Sequence, residues 1–178
     1  MEIKFLFLFL FFYFLGVAQN SFFAYFNILG STPNFIFIFF FILIFFSDSK
    51  KSVFSPYNLF LSTAAGLFLD LFSYDFFGAS IISFLIISFL AKKFLLLLKE
   101  MQEQQPLIYF IPLFVLSFIF NDLFLVIGYY FIEHIKPSFG LTNIIAIIYN
   151  LAFAVIGFYI FKKLKLFFAP SRQLKLLP

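Results

Sequence analysis

Phe5 to Ser47 reads FLFLFLFFYFLGVAQNSFFAYFNILGSTPNFIFIFFFILIFFS and contains not one charged residue. A soluble domain cannot carry such a run, because soluble chains average about 25% charged residues and intersperse them with apolar ones. A hydrocarbon core takes roughly 20 apolar residues per helix, so this run is too long for one crossing. Asn27, Gly30, Ser31, Thr32, Pro33 and Asn34 break it where a turn is expected. The reading is helix one over about 3–23 and helix two over about 34–46. Pro33 fits the entrance of helix two, where a missing N–H costs nothing.

The same pattern repeats along the rest of the 178 residues, of which 64% are hydrophobic and 11% charged. Further spans are expected at about 56–72, 77–90, 107–132 and 141–161, the period of the fourth being able to continue through Lys92-Lys93 into Phe94 to Leu98, with a basic tail over 166–178. The expected fold class is all-α, a polytopic bundle of six transmembrane helices with no room for a separate catalytic domain. A secretory signal is conceivable, from Lys4 and a cleavage site near Gly16-Val17-Ala18. The apolar character continues past it, so the segment is expected to stay as helix one. Phe supplies 37 residues and Cys none. The Phe excess is expected to be bilayer filler, since lipid accepts Phe and Leu alike.

Charge placement tests this layout separately from hydropathy. With both termini cytoplasmic, all of the 12 basic residues except Lys136 fall on the inner side, as the positive-inside rule requires. Lys162, Lys163 and Lys165 then lie just past the last span, where anionic lipid attracts each by about 1 kcal/mol. That accounts for the net charge of +4 without nucleic acid.

Polar residues within the spans carry the remaining information, because hydrocarbon gives them no partners. In helix three, Ser55, Asn58, Ser62, Gly66, Asp70 and Ser73 fall within about 120° of the helical wheel. Close packing through small residues, with hydrogen bonds across helices, is one meaning of such a face. A ligand or ion path is the other. Asp70 lies near the outer helix end, where neighbouring N–H groups can hold its charge. Asp122, preceded by Asn121, lies deep in helix five and is expected to face the bundle interior. No buried Lys, Arg or His accompanies it, and a proton relay needs several titratable groups in sequence.

Catalysis is not expected. His134 is the single histidine and sits in a predicted outer loop, too little for a zinc or haem site. No His faces a Ser within the spans, no glycine-rich loop could cradle a phosphate, and two separate Asp residues do not make a membrane metal site. No cofactor is expected.

One stretch goes beyond generic membrane character: Gly66-Leu67-Phe68-Leu69-Asp70-Leu71-Phe72-Ser73, then Phe77-Gly78. Its pattern, G-L-x-L-D-x-x-S-x-x-x-F-G, resembles the signature of the MreD family of rod shape-determining proteins. Gln19 at the end of helix one, Pro33-Asn34 where that family often has Pro-Asp, the length and the six spans agree in outline. The resemblance implies a non-catalytic scaffold of the bacterial cytoplasmic (inner) membrane, acting in cell-wall elongation. Its implied partners are an MreC-like bitopic protein, a RodA-type glycosyltransferase with its class B penicillin-binding protein and, indirectly, MreB-type filaments. Gly66, Asp70, Ser73 and Gly78, with Phe77 in the same motif, would fix the hairpin of helices three and four against the rest of the bundle or a partner helix. The alternative is the substrate-binding subunit of an energy-coupling factor vitamin transporter, which has a similar length and span count. That class should show small residues on helix one and a polar outer pocket, and helix one offers only Gly16 and Ala18 before Ser21.

Overall fold

The computed structural model describes residues 2–47, 55–73, 76–98, 106–133 and 140–168. They form six α-helices: α1 Glu2–Ser21, α2 Phe35–Phe46, α3 Pro56–Phe72, α4 Ala79–Leu97, α5 Pro106–Glu133 and α6 Leu141–Phe168. A 3-10 turn over Phe23–Phe26 follows α1. The fold is all-α, and the described residues hold no strand beyond one isolated bridge, Ile28 with Ser31. The links over 48–54, 74–75, 99–105 and 134–139, with the tail from 169 onward, lie outside the described residues. The expected loop position of His134 and most of the expected basic tail fall there.

Helix α2 is the hub. Its 12 residues, FIFIFFFILIFF, are apolar on every side, and a helix that is hydrophobic all round belongs inside protein or lipid. Here protein surrounds it: α1, α3, α4, α5 and α6 all touch α2, while round the outside α1 meets α3, α3 meets α4, α4 meets α5 and α5 meets α6. The arc stays open between α1 and α6, and the half-buried Phe39, Leu43 and Phe46 lie on one face of α2.

Ring contacts give the directions. Phe37, Phe41 and Phe45 of α2 meet Phe118, Phe114 and Phe110 of α5 in reversed order, so these helices are antiparallel. Phe5, Phe9 and Tyr13 of α1 meet Phe60, Phe68 and Phe72 of α3 in the same order, so these are parallel. The aromatic excess is therefore not only bilayer filler. Phe12, Phe37, Phe40, Phe41, Phe84, Phe110, Phe114 and Phe158 are fully enclosed and make the core. Flat rings interlock edge-to-face at distances such as 5.4 Å for Phe41 and Phe114, a geometry that adds about 0.5–1.5 kcal/mol per pair to the burial itself.

Three helices differ in extent from the sequence reading. Helix α4 begins at Ala79 and runs to Leu97, beyond 77–90 and along the apolar period that continues past Lys92 and Lys93. Lys92 is only 1% exposed and is used inside the bundle. Helix α6 extends to Phe168, past Lys162 and Lys163, whose side chains are exposed. Helix α1 stops at Ser21 and gives way to the 3-10 turn.

α4, α5 and α6 are each long and apolar enough to cross a membrane. Large apolar side chains such as Phe7, Leu71, Leu97, Leu116 and Ile148 face outward, an arrangement that water penalises and lipid accepts. The chain is a membrane protein. Helix α2, at about 18 Å, falls well short of a hydrocarbon core of about 30 Å. Both its ends therefore need partners from neighbouring elements.

Candidate functional site

The polar face of α3 packs against protein. Ser55, Asn58, Ser62, Gly66 and Asp70 are all buried. Phe68, on another side of α3, is also buried, because α1 covers that side with Phe9.

Asp70 organises the hairpin between α3 and α4. The N-terminus of α4 has no side-chain cap of its own, since its N-cap residue is Gly78. Helix starts leave free N–H groups and partial positive charge, both costly in an apolar setting. Asp70 supplies what is missing from the preceding helix. Its Oδ2 accepts from the Gly78 N–H at 2.8 Å and its Oδ1 from the Ser80 N–H at 2.9 Å. One carboxylate thus caps α4 while closing the turn. Gly78 takes φ +95°, a left-handed value that costs any residue with a Cβ about 1–2 kcal/mol.

Gly66, one turn below Asp70, sets how closely the two helices approach. A Cβ there would stand 2.5 Å from the Ile81 Cα, 2.7 Å from the Ile81 N and 2.9 Å from the Ser80 carbonyl carbon. All three atoms are backbone, so no side-chain rotation relieves the clash. Gly66, Asp70 and Gly78 form one device: the glycine lets α4 come close, the carboxylate holds its end and the second glycine makes the turn. The other residues of the motif take no part in it. Phe77 is 70% exposed. The Ser73 and Ser80 hydroxyls are buried with no hydrogen-bond partner among the described residues.

Asn58 and Ser62 belong to a second cluster at the opposite end of α3. Ser62 Oγ donates to the Asn58 carbonyl at 2.8 Å, a bond within its own helix. Asn58 Oδ1 accepts from Ser47 Oγ at 3.3 Å. Ser47 caps the C-terminus of α2, and its carbonyl accepts from Lys92 Nζ at 2.9 Å. A cation at a helix C-terminus is favoured by the helix dipole, so α3 and α4 jointly secure the C-terminal end of the short hub. Its N-terminal end is held in the same manner. Asn34 Oδ1 accepts from the Phe37 N–H at 2.9 Å, and the Asn34 N–H donates to Asn150 Oδ1 of α6 at 2.7 Å. Gln19 of α1 adds a longer contact to the Ile36 N–H at 3.4 Å.

Asn121 and Asp122 diverge. Asn121 is buried, and its Oδ1 accepts from Ser83 Oγ of α4 at 2.9 Å. Asp122 is half-buried and lines a crevice of about 450 Å³ between α5 and the start of α6, with Gly140, Leu141 and Asn143. It thus lies on the side from which the α6 N-terminus presents its partial positive charge.

The polar residues read from sequence therefore fall at four separate places: the α3–α4 turn, the α3–α2 end, the α4–α5 interface and the crevice between α5 and α6. Lys92 and Asn150 were not anticipated. The apolar run Phe94 to Leu98 after Lys92 and the isolated polar Asn150 deep in span six are the signals that could have found them. Comparison with protein-family profiles, with curated proteins and with solved structures finds no match for this chain.

Proposed function

We propose that this chain is a non-catalytic membrane scaffold of the bacterial cell-wall elongation machinery, acting with an MreC-like partner to maintain rod shape. The observation that supports it most is the Gly66–Asp70–Gly78 device. Three of the residues that carry the resemblance to the MreD family, Gly66, Asp70 and Gly78, join α3 to α4, a role in holding helices rather than in transforming a substrate. The buried polar groups Asn58, Asn121, Lys92 and Asn150 likewise bond to other elements or to cap residues. In this reading six spans leave both termini in the cytoplasm, the membrane is the bacterial cytoplasmic (inner) one, and the basic C-terminal tail meets anionic lipid. A RodA-type glycosyltransferase and its class B penicillin-binding protein join through the MreC-like protein, with MreB-type filaments engaged indirectly.

The crevice at Asp122 favours a second reading, the substrate-binding subunit of an energy-coupling factor transporter. It lies on the side that the proposed topology makes outward, and Asp122 and Asn143 give it two polar groups. One experiment separates the two. The tagged protein is crosslinked mildly in its own host and captured, and its partners are identified by mass spectrometry. An MreC-like single-span protein with wall-elongation synthases supports the scaffold. Recovery of ATPase subunits and their membrane coupler overturns it in favour of the transporter.

A further inference from the structure

Lys92 and Lys93 are sequence neighbours with opposite surroundings. Lys92 points into the bundle and holds the end of α2. Lys93 is exposed and makes no ion pair among the described residues. It lies on a groove of about 440 Å³ between α4 and α5, walled by Leu90, Phe94 and Leu97 on one side and Leu116 and Phe120 on the other. Apart from Lys93, Ser117 is the only polar residue lining this groove among the described residues.

Position along the helix gives this cation its meaning. Helix α4 continues for four more residues after Lys93, Phe94 to Leu97, all apolar, or about 6 Å. The ammonium therefore sits where acyl chains give way to headgroups, and a lysine stem buried among apolar walls can present its charge at that level. A free anion would leave the apolar walls unused, and an apolar helix would leave the charge unused. A phospholipid with a net negative headgroup uses both, and basic pockets between membrane helices bind such headgroups.

We propose that the α4–α5 groove binds one anionic phospholipid, with an acyl chain between Leu90 and Leu116 and the phosphate on Lys93. The inference rests on the membrane reading and is independent of the scaffold role, because its test uses the purified chain alone.

The full-length protein is placed in phosphatidylcholine nanodiscs doped with phosphatidylglycerol that carries a photoactivatable group on its acyl chain, and adducts are mapped by mass spectrometry. Adducts should concentrate on Leu90–Leu97 of α4 and Leu113–Phe120 of α5. Lys93→Gln should lower them about fivefold, the equivalent of one lysine at an anionic surface. Lys163→Gln, on the exposed side of α6, should leave them unchanged. If Lys93→Gln lowers the melting temperature, Leu116→Trp replaces it, since Leu116 already faces outward and a larger ring there should obstruct the groove. Adducts spread evenly over the outward faces overturn the proposal. So does equal labelling by a phosphatidylcholine probe, and so does undiminished labelling in whichever variant is stable.

Discussion

Gly66→Ala tests the close approach of α3 and α4 in a single methyl group. The added Cβ would stand 2.5 Å from the Ile81 Cα, whereas carbon atoms rest about 3.5–4.0 Å apart. The helices must therefore separate by about 1 Å at this point. Asp70 sits one turn away, with its bonds to the Gly78 and Ser80 N–H groups at 2.8 and 2.9 Å. The same separation would stretch these to about 3.8 Å, beyond hydrogen-bonding range. Overpacking costs about 1–3 kcal/mol, and each charged hydrogen bond that is lost costs about 1.5–3 kcal/mol. Against this, alanine is the better helix former by about 0.5–1 kcal/mol. The net expectation is destabilisation by about 3–8 kcal/mol, a drop of at least roughly 6 °C in melting temperature for a chain of this size. The assay is thermal unfolding of the purified protein in detergent, with Gly157→Ala as control. There the added Cβ would meet only the Ile42 Cδ1 at 2.7 Å, a terminal methyl that can swing aside, so a change within about 1 kcal/mol is expected. The opposing propensity term makes the sign decisive: a Gly66→Ala protein that melts at or above the wild-type temperature refutes the backbone contact.

Four further outcomes follow from the same structure. Lys92→Met should lower the melting temperature by the equivalent of about 1–3 kcal/mol, because it leaves the Ser47 carbonyl without its charged donor, while Lys93→Met next to it should change stability by less than about 0.5 kcal/mol. Equal effects from the two would count against the assignment of the inward-facing lysine. Gly78→Ala meets no atom within 4 Å and should still cost about 1–2 kcal/mol through its φ alone; unchanged unfolding would show that the turn relaxes. A double-mutant cycle of Ser83→Ala and Asn121→Ala should give a coupling of about 0.6 kcal/mol, the usual size for a hydrogen bond between membrane helices, and zero coupling would remove the contact. Because the chain has no cysteine, single cysteines report topology directly. In intact cells Asn27→Cys should react with a membrane-impermeant maleimide and Gln102→Cys should not, and the reverse pattern would invert the proposed orientation.

Hydropathy and helical period were enough to reveal the helical class, the number of helices and the face of α3 that seeks protein. Uncharged runs of span length and polar residues three and four apart follow from the bilayer and the helix period, so they can be read without knowing any neighbour. The same reading singled out Asp70 and Gly66, because a carboxylate and a glycine at that spacing in an apolar helix need a reason. Their partners emerged from the packing of the helices. Which N–H groups Asp70 holds, and which backbone atoms crowd Gly66, depend on how α4 turns back onto α3. The same holds for the Phe residues. Composition cannot separate a ring facing lipid from one in the core, since both surroundings are apolar and free energy of transfer hardly distinguishes them. The enclosure of α2 by the other five helices decides that Phe41 packs on Phe114 while Phe7 faces outward. Lys92 and Lys93 make the same point with charge. Hydropathy treats the two alike, but about 100° of helical rotation turns one toward the end of α2 and the other toward the α4–α5 groove.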